Sequence, residues 1–211
     1  MRKYVYINSI VLTLLTLIIV CCESIFVPDP IDPRLPKYTE NGNNVAGAFI
    51  NQEVWRSQKK YGLEAGMLAP EEIVHQMINI KIDSIKNSMI LHFDGLISND
   101  STTLEFHLVG LNIYSFNDLV LLKDKKIQLD GTSNMGVYIR HRGAAKDIKY
   151  FKDKGIGQLY LKNVKVAQSN YSATISGTFG FTIYDSTNIT DEISYGRFDC
   201  TIQYPDNFTL K

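Results

Sequence analysis

The sequence predicts an all-β fold, either an antiparallel β-sandwich or a flattened β-barrel, with at most short helices. In the segment Tyr171–Tyr184, apolar residues and Gly177 at the odd positions alternate with serine, threonine or glycine at the even positions up to Thr182. This period of two is typical of a strand with one buried and one solvated face. The segment Arg197–Tyr204 alternates in the same way, and no segment has the periodicity of a long amphipathic helix.

Shorter alternating runs that are bounded by turn residues predict the remaining strands. They are Val45–Ile50 and Glu53–Ser57 around an Asn51-Gln52 turn, Gln76–Ile82, Ser88–Ile97 and Thr103–Leu111 around an Asn99-Asp100 turn, Met135–Arg142, and a strand that starts at Leu159-Tyr160-Leu161. Short helices are predicted only at Pro70–Val74 or Ser115–Leu121. Because Tyr171–Tyr184 is long for a single strand, Gly177 predicts a bulge or a bend.

The N-terminus has the pattern of a secretory leader. A short basic region precedes an apolar run, Ile10–Val20, of the length found in signal peptides. An uncleaved membrane span and a plain signal peptide are the alternatives. The run ends in Ile19-Val20-Cys21-Cys22, which resembles a bacterial lipobox. That resemblance implies that Cys22 carries the lipid, with Cys21 as the alternative, and that several acyl chains, palmitate among them, anchor the protein stably.

This interpretation divides the chain into a signal peptide (1–21), a tether (22–44) and a single antiparallel β-domain (45–211). Four of the six prolines lie in Val27–Pro36, and such dense proline prevents sheet pairing and favours an extended spacer. After removal of residues 1–21, Cys200 is the one remaining cysteine besides Cys22. It alternates with Phe198, Ile202 and Tyr204, so it is predicted to be a buried small hydrophobe.

Both ends of the domain resemble an uncharacterised family of Bacteroidetes lipoproteins. The opening run Asn43–Trp55 is similar to the family's strand, turn and tryptophan motif, although Gln52 stands where the family has glycine. The closing runs Ile175–Phe181 and Tyr195–Asp199 are similar to its C-terminal signature. The resemblance implies a β-domain anchored in the cell envelope, at the outer membrane, with the periplasmic or surface side left open. It supplies no catalytic residues.

Composition narrows the possible functions. The chain has 22 basic and 22 acidic residues and a formal net charge of zero, which argues against a nucleic-acid-binding protein. Motifs for nucleotide, zinc or serine-hydrolase chemistry are absent from the sequence, so no cofactor is expected. The function classes that remain are binding, structural and motif-poor enzymes such as glycosidases.

Two histidines and two carboxylates form one candidate site. If Asn99-Asp100 is the hairpin loop, then His92 faces His107 and Asp94 faces Glu105, and all four share one face. Such a set could hold a metal ion or perform acid–base chemistry. The alternative is an ordinary solvated outer face of a hairpin.

A basic segment, Arg140–Lys154, forms a second candidate. Aromatic rings there could stack on sugars while the cations meet sulfate, carboxylate or lipid phosphate. The residues predicted to bind are Tyr138, Arg140, Arg142, Lys146, Tyr150 and Phe151. The alternative is a solvated loop, and the sole tryptophan, Trp55, is either a binding platform or part of the core.

The leading functional hypothesis is a non-enzymatic envelope lipoprotein whose β-domain binds a glycan or a neighbouring envelope protein. One alternative is a glycan hydrolase that uses carboxylates not identified by any motif. Another is a structural component of an outer-membrane or fimbrial assembly that joins its partners through a strand edge.

Overall fold

The computed structural model describes residues 32–61, 72–75, 78–98, 100–142, 147–184 and 189–211, and Asp32–Lys211 form one compact unit. The strands are β1 Val45–Ile50, β2 Glu53–Arg56, β3 Gln58–Tyr61, β4 Glu72–His75, β5 Asn79–Asp83, β6 Ser88–Ile97, β7 Asp100–Val109, β8 Lys125–Asp130, β9 Met135–Arg142, β10 Asp147–Val166, β11 Ser172–Tyr184, β12 Ile189–Gln203 and β13 Phe208–Leu210. The prediction of an all-β fold is confirmed.

Eight of these strands close into an antiparallel barrel. Their order around the barrel is β6-β2-β1-β12-β11-β10-β9-β7, and β7 pairs back to β6. Three further strands attach outside this ring: β5 to β6, β8 to β10, and β13 in parallel to β5. Of the two predicted architectures, the barrel is therefore the one that forms.

One short helix, the 3₁₀ turn Asn117–Leu122, occurs in the described ranges, close to the predicted Ser115–Leu121. The other predicted helix, Pro70–Val74, is wrong for its described part because Glu72–His75 is β4, paired with β3. No helix within the described ranges is long and apolar enough to cross a bilayer.

Aromatic rings fill the barrel interior. The rings of Phe93 and Phe198 are 5.3 Å apart between centroids, and those of Phe106 and Phe179 are 5.1 Å apart. Trp55 is fully buried, which decides between the two roles predicted for it in favour of the core. An eight-stranded barrel is just wide enough for side chains to fill it, and these rings do so here.

The alternation predicted for Tyr171–Tyr184 is confirmed in β11, where the odd positions from Ala173 to Ile183 are buried. The irregularity predicted at Gly177 lies on the neighbouring strand. Leu161 pairs with Gly177 but Asn163 pairs with Ser176, so Lys162 is the extra residue of a bulge in β10. A Cβ on Gly177 would overlap the carbonyl oxygen of Tyr160, so only glycine fits there.

The last long strand, β12, confirms the buried position of Cys200. Its thiol lies in the core with Phe198 and Ile202, and burial raises the pKa of the thiol far above its usual value. Tyr204 follows the end of the strand and is exposed. The ring of Tyr204 packs against Phe116 and Phe208, with centroids 6.2 and 6.0 Å apart.

In its described parts, the basic segment forms strands and not the loop that was one of its predicted forms. Arg140 and Arg142 belong to β9 and residues from Asp147 onward belong to β10, and the two strands pair in register from Asp147–Arg142 to Phe151–Tyr138. On β9, Tyr138 faces the interior opposite Leu104, so the aromatic residue is part of the core.

The compact unit that contains the barrel begins before Val45. Residues Asp32–Asn44, which we call the strap, belong to the same compact unit as the barrel. The strap begins with a turn in which the Leu35 amide donates to the Asp32 carbonyl, and Pro33 at the second position suits that turn. Leu35 is buried. The proline spacing predicted an extended segment, but it could not indicate that the segment docks on the barrel.

Candidate functional site

The β6–β7 hairpin carries the histidine row, which consists of Asp94, His92, Glu105 and His107. Ile97 pairs with Asp100, so the two turn residues are Ser98 and Asn99, the latter outside the described residues. The predicted pairs are therefore wrong by two positions, and His92 faces Glu105. Because the shift is an even number of residues, all four side chains still share one face, as predicted.

Hydrogen bonds connect the histidine row from end to end. His92 Nε2 lies 3.1 Å from Asp94 Oδ1, and His92 Nδ1 lies 2.8 Å from Glu105 Oε1. His107 Nε2 lies 2.7 Å from Glu105 Oε2. The bonds to Asp94 and Glu105 raise the pKa of His92 to about 9, and those from His107 and His92 lower the pKa of Glu105 to about 2.

This electrostatic arrangement suits an ion-pair network better than metal binding or catalysis. Both ring nitrogens of His92 face carboxylates, so the ring is a protonated donor at neutral pH, whereas a metal ligand or a general base must be deprotonated. Within the described ranges, no group of three or more histidine, cysteine or acidic side chains is arranged to hold a metal ion.

The strap is held by the buried carboxylate of Asp199, which is 1% exposed. Its oxygens accept hydrogen bonds from the backbone N–H groups of Asn41, Gly42 and Asn43, at 3.1, 2.7 and 3.2 Å. They also accept one from the hydroxyl of Thr39. Phe198 and Cys200 on either side point into the barrel, so Asp199 points outward beneath the strap. These bonds satisfy a charge that would otherwise be costly to bury.

The start of the strap is fixed through Arg34. Its guanidinium is paired with Asp32 at 2.7 Å and lies over the ring of Phe49, 4.8 Å from the centroid. Arg56 of β2 donates two hydrogen bonds to the Arg34 carbonyl, at 3.0 and 2.6 Å. Arg34 therefore lies in a defined position at the edge of the strap.

A recess of about 620 Å³ opens beside this arginine. We call it the strap groove, and its lining residues are Arg34, Phe49, Asn51, Gln52, Glu192, Ser194 and Tyr195. Smaller recesses lie on the other sides of the strap, one lined by Arg34 and β2 and one by Pro33, Leu35 and Pro36. The docked strap thus creates concave surfaces that the barrel alone would not have.

Tyr195 is the most exposed ring of the strap groove, with 60% of its surface accessible. It sits on a bulge of β12, since Gly47 pairs with Arg197 and Phe49 pairs with Ser194, which leaves Tyr195 and Gly196 opposite Ala48. Its φ is +54°, a left-handed conformation that is costly for a bulky residue. The ring packs edge-on against Phe49, with centroids 6.1 Å apart.

Of the residues of the predicted basic binding site, Tyr138 is the one whose side chain the structure describes. Tyr138 is 2% exposed, so its ring cannot stack on a ligand. Arg140, Arg142, Tyr150 and Phe151 lie in β9 and β10, but their side chains lie outside what the structure describes, as does all of Lys146. The predicted lipid-attachment residues Cys22 and Cys21 also lie outside the described residues.

The sequence patterns did not identify Asp199 and Tyr195 as site residues. One signal for Tyr195 exists in the sequence: Ile193 and Phe198 are both buried, but they are separated by an odd number of positions. In a regular strand such residues face opposite sides, so the pattern indicates a bulge between them. Asp199 has no such signal because its partners lie in the strap.

Comparison with known proteins identified no relative of this chain. No protein-family model matches the chain, and no significant match was found among the curated proteins or the solved structures.

Proposed function

We propose that this protein is a lipid-anchored component of the cell envelope, at the outer membrane, whose barrel binds a glycan or another envelope protein without catalysing a reaction. The observation that carries the binding role is the strap groove. An exposed aromatic ring and several polar side chains converge there on a recess of about 620 Å³, within the size range of ligand sites.

The lining of the strap groove favours binding over glycan hydrolysis. A glycosidase needs two carboxylates that flank the bond to be broken. Glu192 is the one acidic residue among the side chains that line this groove. The carboxylates of the histidine row are already engaged by histidines, so they are poor candidates for the missing partner.

The anchoring role rests on Cys22, and the docked strap shortens the spacer that follows it. The sequence suggested a tether of residues 22–44, but only ten residues lie from Cys22 up to the start of the strap at Asp32. Even fully extended, that length of chain reaches about 35 Å. The proposal therefore places a ligand-binding barrel close to the membrane surface.

Metabolic labelling with an alkyne-bearing palmitate tests the anchor. Wild-type protein is expected to carry the label, and Cys22→Ala is expected to lose it because the thioether sulfur is gone. Cys21→Ala is the matched control and should remain labelled, since alanine is acceptable before the modified cysteine. Persistent labelling of Cys22→Ala would contradict the assignment, and loss of label only in Cys21→Ala would move the lipid to that residue.

A structural role in an assembly is a second candidate, supported by β8. Among the described strands β8 pairs with β10 alone, so one of its edges has no strand partner there. Free edges accept strands from other chains, although Lys125 and Lys126 would oppose unspecific pairing. Light scattering of the purified protein would favour this role if it detects oligomers and would count against self-assembly if it detects only monomers.

A further inference from the structure

The strap groove has the chemistry of a carbohydrate site. We propose that it binds a neutral oligosaccharide, with Tyr195 as the platform on which a sugar ring stacks. This inference rests on the binding role proposed above and names its ligand class and its principal residue.

A sugar ring has one apolar face of C–H groups and a rim of hydroxyls. Tyr195 offers a flat, 60% exposed ring to such a face. The amide of Gln52, the carboxylate of Glu192 and the hydroxyl of Ser194 line the same recess and can donate to or accept from hydroxyls. An aromatic platform beside mixed donors and acceptors matches a polyol better than it matches an apolar ligand.

The charges of the groove favour a neutral ligand. Arg34 and Glu192 are the two charged residues in the lining, one of each sign. The guanidinium of Arg34 is paired with Asp32 and lies over Phe49, so it is not free to clamp an anionic ligand. An anionic ligand would meet Glu192, and a cationic ligand would meet Arg34, whereas uncharged hydroxyls are compatible with both.

The backbone at Tyr195 is a second, independent observation that points to function. A tyrosine at φ +54° is strained, and glycine would adopt this conformation without that cost. Bulges often redirect a side chain next to a functional site. Here the bulge turns the tyrosine ring outward into the recess, which gives a reason for a bulky residue at this position.

The groove also depends on the strap, because Arg34 forms one of its walls. Undocking of the strap would remove that wall and leave Phe49 without the guanidinium that covers its ring. The bonds of Asp199 to the strap therefore position the groove without contacting the ligand.

The test is a binding titration of the full chain, solubilised in lauryldimethylamine oxide, a detergent without a sugar headgroup. Cellohexaose, xylohexaose, mannohexaose, maltohexaose and chitohexaose are the probes, each followed by isothermal titration calorimetry. We expect at least one of them to bind. Tyr195→Gly is expected to weaken that binding about tenfold or more, the size of one lost aromatic contact.

Three variants distinguish a loss of binding from a loss of folding. Tyr195→Gly relieves the backbone strain but loses the edge-on contact with Phe49, so its melting temperature should stay within a few degrees of the wild type while binding falls. Tyr195→Phe keeps a ring and should bind more tightly than Tyr195→Gly. Tyr171→Ala is the matched control: Tyr171 is also well exposed, at 64%, but lies at the other end of the β11–β12 pair, so binding should persist.

Two results would overturn the proposal: no binding of any of the five probes to the wild type, or undiminished binding by Tyr195→Gly. Neither result would affect the lipid anchor, which the palmitate label tests separately. If no probe binds but labelling depends on Cys22, then the protein is an anchored barrel whose groove does not recognise these sugars.

Discussion

At the scale of single residues, the carboxylate of Asp199 connects two parts of the chain that are far apart in the sequence. It lies 157 residues from Gly42 in the sequence and accepts a hydrogen bond from the Gly42 amide. A buried charge is tolerated when several hydrogen bonds surround it, and the three strap amides with the Thr39 hydroxyl provide them. Asp199 therefore controls whether the strap stays docked.

Asp199→Asn is expected to loosen the strap. The amide keeps one acceptor oxygen but turns an NH₂ group toward backbone donors, so we expect a loss of about 2 kcal/mol, or roughly 4–8 °C in Tm. Trypsin should then cut after Arg34 or Lys37 faster than in the wild type. Asp206→Asn, which changes an exposed carboxylate, is the control and should leave the cleavage rate unchanged. Equal cleavage of Asp199→Asn and wild type would show that Asp199 does not hold the strap.

At the scale of elements, the β6–β7 hairpin brings together charges that its sequence placed on one face. Asp94 and Glu105 stabilise the protonated form of His92, and His107 and His92 stabilise the ionised form of Glu105. His92 and Glu105 are partly buried, with 24% and 21% of their side chains accessible. Their interaction is therefore screened less than that of a surface pair.

The stability of the hairpin should depend on pH in a defined way. Because the pKa of His92 is raised to about 9 in the fold, its contribution is fully present below about pH 6.5 and is lost as pH rises toward 9. Because the pKa of Glu105 is lowered to about 2, its contribution is present above about pH 4.5 and is lost as pH falls. The row should stabilise most between these limits.

Urea unfolding of wild type and His92→Gln at pH 6 and pH 9.5 measures the effect. The wild type should exceed the variant in unfolding free energy by about 2 kcal/mol at pH 6, and the difference should shrink at pH 9.5. Lys81→Gln, an exposed change on the neighbouring strand β5, is the control and should show no such change over this range. A His92→Gln difference that stays constant with pH would contradict the ion-pair interpretation.

At the scale of the whole molecule, the number of paired residues differs between neighbouring strands of the barrel. β11 and β12 pair along almost their full length, but β2 meets β6 only through Trp55–Ile97 and Arg56–Leu96. The strap docks beside this short seam, where Arg56 donates to the Arg34 carbonyl. The strap therefore supports the barrel at the place where strand pairing is least extensive.

Removal of the strap should accordingly weaken the whole barrel. A chain that begins at Val45 loses the bonds to Asp199 and Arg56 and the burial of Leu35, so its Tm should fall by about 10 °C or more compared with a chain that begins at Asp32. Differential scanning calorimetry of the two chains measures this. Equal melting temperatures would mean that the strap only rests on an independently stable barrel.

Much of the fold could be predicted because strand patterns are local. The positions of β1, β2, β6, β9 and β11 and the inward faces of β11 and β12 follow from alternation and turn residues within each segment. Register is harder, since Asn99-Asp100 and Ser98-Asn99 are equally acceptable two-residue turns. On β9 the alternation was assigned without its partners, and Tyr138 proved to face Leu104 in the core.

The amino-acid sequence by itself determined that this protein is built of strands, which side of β11 and β12 is buried, and that four ionisable side chains share a face of one hairpin. Tertiary structure alone decided that the sheet closes into a barrel, that the proline-rich strap docks on it, and that Tyr195 and Arg34 border one groove. The physical reason is distance along the chain. Alternation acts between neighbouring residues, whereas closure and docking depend on partners such as Gly42 and Asp199 that only folding brings together.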